Sequence, residues 1–99
     1  MKRISASTKQ RIKEGVDLVA LVGESVQLKK SGASYVGLCP FHNEKSGSFN
    51  VAPAKRIFHC FGCGESGDAI GWMMKHHGLS FTDAVESLAQ RIGLVIEYE

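Results

Sequence analysis

Two pairs of soft metal donors, each pair three positions apart, constrain this chain of 99 residues more than any other feature. Cys39-Pro40-Phe41-His42 supplies the first pair and Cys60-Phe61-Gly62-Cys63 the second. A pair at that spacing in a tight turn can offer two tetrahedral positions to one ion. Two such turns, at the ends of neighbouring hairpins, complete a closed set of three cysteines and one histidine. Four protein ligands leave no position for water, so the ion is structural rather than catalytic. The thiolate-rich tetrahedral set favours Zn²⁺ over iron.

Other readings of the same residues are weaker. Cys60 and Cys63 alone resemble a redox pair, but that motif wants a βαβ context, and here an antiparallel strand pattern precedes it. Cys39 alone would pass for a core thiol, were His42 not beside it. His59 neighbours Cys60, and adjacent strand residues point to opposite faces, so it cannot readily share an ion with Cys60; it packs, hydrogen-bonds or meets a partner. His76 and His77 fall at a helix C-terminus, where they suit the helix dipole.

Composition places the chain among ordinary globular domains, with 43% hydrophobic and 22% charged residues. A domain this small buries roughly 60–70% of its surface on folding, so a metal staple helps it. An odd cysteine count, three, argues against a disulfide framework and for a reducing, cytoplasmic compartment. No apolar run approaches the ~20 residues that span a bilayer, so no membrane partner is expected. Met1-Lys2-Arg3 has no apolar stretch behind it, so a secretory signal is not expected.

Charge is unevenly spread. Residues 27–63 carry Lys29, Lys30, Lys45, Lys55 and Arg56 against Glu44 alone. Residues 64–99 carry Lys75 and Arg91 against six acids. A basic block in the middle suits nucleic acid, although a solvated polar face is the plainer reading.

Periodicity divides the chain into helices around a small sheet. Ser7 caps an expected helix over Thr8–Glu14, stopped by Gly15, and Asp17 caps a short one over Leu18–Val22. Val26–Lys30 and Ser34–Leu38 read as a hairpin about Ser31-Gly32-Ala33, and Ser48–Val51 and Arg56–Cys60 as another. Asp68 caps a helix to His77. Ser80 opens a last helix whose Phe81, Ala84, Val85, Leu88, Ala89 and Ile92 share one face, with Gly93 at its end. Leu94–Tyr98 is a short strand or the start of a linker. The expected fold class is α+β: a small antiparallel β-sheet carrying one structural zinc, flanked by N-terminal and C-terminal helices. The core of the sheet spans about 26–64, with helices within 8–22 and 68–92.

These residues also resemble a known family. Tyr35-x-Gly37-Leu38-Cys39-Pro40-Phe41-His42-Asn43-Glu44-Lys45, then Ser48-Phe49, then Phe58-His59-Cys60-Phe61-Gly62-Cys63-Gly64 and Gly67-Asp68-Ala69, are similar to the zinc-binding domain of bacterial DnaG-type DNA primases. So are Gly15-Val16-Asp17-Leu18-Val19, Leu28-Lys29-Lys30-Ser31-Gly32 and Gly78-Leu79-Ser80-Phe81-x-x-Ala84-Val85, so the likeness covers nearly the whole chain as one domain, 1–99. One departure is Ser46-Gly47, where the family commonly has Thr-Pro; Gly47 loosens a segment that Pro would restrict. The resemblance implies a zinc ribbon, with metal ligands at Cys39, His42, Cys60 and Cys63. It implies recognition of a single-stranded DNA template during RNA primer synthesis in DNA replication. The partners it implies are an RNA polymerase domain of Toprim type, which would hold the nucleotidyltransferase centre, and, through the full-length primase, a replicative helicase. Phage and plasmid primase-helicases carry related fingers.

No catalytic constellation stands in the chain itself: there are no paired carboxylates on a shared motif, no phosphate-cradling glycine loop and no open metal position. Single strands are held by cations along the backbone and aromatic faces under the bases. Lys30, Tyr35, Lys45, Arg56, Phe58 and Phe61 are the expected DNA contacts. The alternative is a zinc-ribbon module that docks on a replication protein or polymerase domain. Salt separates the two, because phosphate-dominated binding weakens steeply with ionic strength.

Overall fold

The computed structural model describes residues 3–41 and 47–99. Its architecture is α+β. In chain order the elements are α1 (Ala6–Gly15), α2 (Leu18–Gly23), β1 (Lys29–Ser31), β2 (Ser34–Gly37), β3 (Phe49–Ala52), β4 (Ile57–Cys60), β5 (Ser66–Gly67), α3 (Ala69–His76) and α4 (Phe81–Ile92). The strands form one antiparallel sheet in the order β1-β2-β3-β4-β5.

Helix starts follow local chemistry. Asp17, Asp68 and Ser80 each accept a hydrogen bond from a backbone N–H three residues on, satisfying donors that a helix N-terminus leaves open. α1 differs from expectation: its cap is Ser5 rather than Ser7, and it begins at Ala6. The reason is tertiary. Ser5 N–H donates to the Glu97 carbonyl at 2.9 Å, and the buried Thr8 hydroxyl accepts from Glu97 N–H at 3.0 Å. The chain's two ends are thus tied together, and Tyr98 forms an isolated bridge with Ile4 instead of a full strand. Gly15 is the last residue of α1 and not its stop: Val16 caps the helix in extended conformation, its N–H donating to the Ile12 carbonyl, and a side chain at 15 would meet Ile92 Cδ1 at 2.9 Å. α4 ends at Gly93, which takes the left-handed conformation (φ 69°) that glycine adopts at least cost.

Register decides what each face of the sheet meets. Gly37, Phe49 and Cys60 stand level across β2, β3 and β4; two positions on, so do Tyr35, Val51 and Phe58, with Lys30 and Gly67 beyond them. These point to the helices. Phe49, Val51, Phe58 and Cys60 are fully buried, in one core with Ile12, Val22, Trp72, Val85 and Leu88. The intervening row is Lys29, Val36, Asn50, His59 and Ser66, with Ser31, Ser34, Ala52 and Ile57 nearer the hairpin tips, and none of these is buried. β5 was not expected; with two residues it carries no periodicity to read, and Gly67 suits it because a Cβ there would come within 3.3 Å of the Phe58 ring. Phe81 also departs from expectation. It sits at the first position of α4 and remains 39% exposed, while Ala84, Val85, Leu88 and Ala89 carry the buried face.

Trp72 anchors the junction of sheet and helices. Phe49 and Phe58 lie 5.9 and 5.6 Å from it, and His76 stacks on it at 4.3 Å with 9° between planes. Burial, and then the neighbouring His77, push the His76 pKa below the ordinary histidine value. Its Nδ1 is buried with no hydrogen-bond partner among the described residues, so protonation would place a charge there that none of them pairs. The unfolded chain therefore takes up this proton first, and the contribution of neutral His76 is lost as pH falls through the ordinary histidine range. The expected result is that His76→Gln loses less melting temperature than the parent chain between pH 7.5 and 5.5, in matched thermal scans of zinc-loaded protein. Equal losses would remove His76 from the pH response.

Candidate metal centre

The three cysteines arrive from three places in the chain and meet at one end of the sheet. Cys39 follows β2, Cys60 ends β4, and Cys63 lies in the turn beyond it. Their sulfurs all lie within 4.8 Å of one another, and Cys39 Sγ and Cys63 Sγ are 3.7 Å apart. A tetrahedral ion with Zn–S bonds of ~2.3 Å sets its sulfurs about 3.8 Å apart, so the spacing fits zinc. His42 and Lys45 lie outside the described residues.

The turn after β4 is shaped for this. Gly64 N–H donates to the Cys60 carbonyl at 2.9 Å, and Cys60 N–H to the Glu65 carbonyl at 2.8 Å. Gly64 has φ 82°, which a side chain would strain. Gly62 N–H and Cys63 N–H both point at Cys60 Sγ, at 3.3 and 3.5 Å, and Phe41 N–H points at Cys39 Sγ at 3.4 Å. Donors aimed at sulfur favour thiolate.

The thiols pull against one another. Burial pushes the Cys39 pKa up to about 12, and the Phe41 N–H offsets this only in part. Burial opposes ionisation of Cys60 too, but there the Cys63 and Gly62 N–H groups outweigh it and hold its pKa below the usual thiol value. Thiolates this close repel unless a cation lies between them. A divalent ion removes that conflict, because a coordinating thiol is deprotonated outright.

The expected DNA contacts separate in space. Phe61 is 74% exposed. Lys30 is exposed on the edge strand β1. Arg56 is exposed at the β3–β4 turn with φ 57°, lining a hollow with Glu14, Asp17 and Pro53. Tyr35 is half-buried and packs against the core. Phe58 corrects the sequence reading: it is wholly enclosed by Phe41, Phe49 and Trp72, so no base can stack on it. The reason is register, which turns Phe58 toward α3 while His59 faces out. His59, Asn50 and Lys29, which alternation along single strands did not single out, share the open face. The pairing of β3 with β4 was the signal that finds them.

Fold and site together define a zinc ribbon: a short antiparallel sheet with cysteines converging at one end. A profile described as the CHC2 zinc finger, the zinc ribbon of DnaG, matches residues 4–99. The chain belongs to this family. It is 54% identical over 80 residues to the DNA primase of Neisseria meningitidis, covering 81% of this chain and 14% of that protein. It is 50% identical over 92 residues to the DNA primase of Geobacillus stearothermophilus, covering 93% of this chain and 15% of that one. The crystal structure of the Aquifex aeolicus primase, with its zinc-binding and RNA polymerase domains, superposes with a TM-score of 0.85 at 36% identity, over 95% of this chain and 23% of that chain. The chain thus spans about one-seventh of the curated primases it matches. With the sulfur geometry, membership makes zinc the ion of this site, and its role structural. No helix among the described residues is long and apolar enough to cross a membrane.

Proposed function

We propose that this chain is the single-stranded DNA template-binding module of a DNA primase and supports RNA primer synthesis in DNA replication. Its zinc is held by Cys39, Cys60 and Cys63, with His42 as fourth ligand. The polymerase chemistry belongs to an RNA polymerase domain of Toprim type, as the partner domain in the Aquifex relative's structure supports, and a replicative helicase is the partner of the complete primase. The setting is cytoplasmic.

One observation carries the template reading: among the described residues, the helices cover one side of the sheet only. Its other face presents Lys29, Asn50 and His59 with the exposed Phe61 ring at the zinc end, and the described residues place no carboxylate side chain in these rows. A cation and an aromatic face beside polar groups are what an unpaired strand requires. Lys30, on the same edge strand, lies in the row that faces the helices and contributes charge only at the edge of the sheet.

A salt series tests the reading. Anisotropy of a labelled single-stranded oligonucleotide should show log K falling linearly with log salt, with slope about −0.7 per phosphate contact. Lys29→Ala should lower that slope by roughly one contact's share. Binding that ignores salt would overturn the reading. It would favour a module that docks on a replication protein, for which the groove lined by Val26, Val36, Leu38 and Pro40 is the supporting feature.

A further inference from the structure

We propose that Lys75 is a positioning residue for the metal: it clamps the outgoing end of the zinc turn and sets how fast zinc escapes past Cys63. The proposal concerns the metal centre and holds whatever the sheet binds. It starts from an inequality among the ligands. Cys39 and Cys60 are buried, whereas Cys63 is exposed. A closed set of four protein ligands has no open position, so the ion leaves only after one ligand detaches. The ligand that water or a competing chelator can reach is Cys63.

Cys63 is held from both sides of its turn. On the incoming side stands Cys60, fully buried at the end of β4. On the outgoing side the chain passes through Glu65 into β5, which is two residues long and offers little resistance by itself. There Lys75 Nζ donates to the Ser66 carbonyl at 2.9 Å and lies 3.1 Å from Glu65 Oε2. One ammonium thus holds two consecutive residues, one by its backbone and one by its side chain. The Glu65 carbonyl in turn accepts from Cys60 N–H at 2.8 Å, so the clamped residue is tied directly to a metal ligand.

The clamp has a fixed base. Lys75 lies in the last turn of α3, one turn beyond Trp72, which is fully buried against Phe49 and Phe58. A lysine at a helix C-terminus suits the helix dipole, but the dipole alone does not direct the ammonium at one carbonyl and one carboxylate of the same turn. Glu65 stands two positions after Cys63. Swinging Cys63 far enough outward to free the ion drags Glu65 and Ser66 with it and strips both from Lys75. Contacts that orient a metal's ligands from outside its coordination shell commonly govern how well the metal is held. Lys75 is half-exposed, so its share is moderate, and it falls on the rate of release more than on the fold.

The test follows zinc release from the loaded chain into an excess of chromogenic chelator, with melting temperature and helical circular dichroism measured alongside. Lys75→Met should release zinc about fivefold faster, the size of effect an exposed charged contact carries, while both structural readouts hold. Lys75→Arg, which keeps the charge and the donors, should restore most of the parental rate. Glu65→Gln should quicken release by less, because the Ser66 carbonyl stays held. Lys13→Met is the control: it removes the Lys13–Asp68 pair, 3.6 Å apart, away from the turn, and should leave release unchanged. Iodoacetamide added to the zinc-loaded chain should label Cys63 first, and sooner in Lys75→Met. A Lys75→Met chain with the parental release rate, or a Lys13→Met chain that accelerates as much, overturns the clamp. Labelling that begins at Cys39 or Cys60 overturns the exit past Cys63 and the proposal with it.

Discussion

Replacing Cys60 by serine will empty the metal site and dismantle the zinc end of the sheet. Cys60 is fully buried, ends β4, and receives two backbone N–H groups at its sulfur. Zinc binding in small fingers is worth ~10–16 kcal/mol at neutral pH, against roughly 5–15 kcal/mol for the whole stability of a typical domain. Losing most of that term leaves little to hold the turn at 61–64 and the segment after β2 together. The helices have their own contacts, since α1 and α3 pack on α4 through residues remote from the metal, so helical circular dichroism should survive in part while the sheet and the fixed environment of Trp72 do not. Native mass measurement should fall from one zinc per chain to near none, and chelation of the parent should reproduce the spectrum. A Cys60→Ser chain that kept stoichiometric zinc and its melting point would defeat the assignment.

The second large effect separates two phenylalanines three positions apart. Phe58→Ala should destabilise the chain by ~3–5 kcal/mol, the usual cost of emptying a buried aromatic site. For a domain this size that is a melting point lower by more than about 10 °C. Its ring centroid lies 6.0 Å from that of Phe41, 5.5 Å from Phe49 and 5.6 Å from Trp72, so no neighbour can collapse into the void without breaking another contact. Phe61→Ala should change stability by less than about 0.5 kcal/mol, as exposed positions do, yet lower single-strand affinity by ~1–3 kcal/mol per stacked base. Thermal melts and oligonucleotide titrations of both variants decide this. The opposite pattern, with Phe58→Ala stable and Phe61→Ala unfolded, would mean that the two faces of the sheet had been exchanged.

Where reading residues one element at a time succeeded, the signal was local. Asp17, Asp68 and Ser80 cap helices because a short polar side chain reaches an N–H three residues on, a contact that needs no other part of the fold. Ser5 was missed because Ser7 looks equally suitable until Glu97 returns from the far end of the chain to hold Thr8. β5 was missed because two residues have no period. Phe58 was read as a possible stacking ring because alternation along β4 says that Phe58 and His59 face opposite ways, without saying which way the helices lie.

The convergence of the three cysteines was legible in the sequence alone, while His42 lies outside the described residues. Ligand identity and three-residue spacing are short-range properties, and donors of that kind in two turns have few other stable uses. Which side of the sheet meets water was decided only by tertiary structure. That choice depends on where α3 and α4 dock their apolar faces, a long-range packing outcome. It buries Phe58 and leaves Asn50, His59 and Phe61 on the side the helices do not cover.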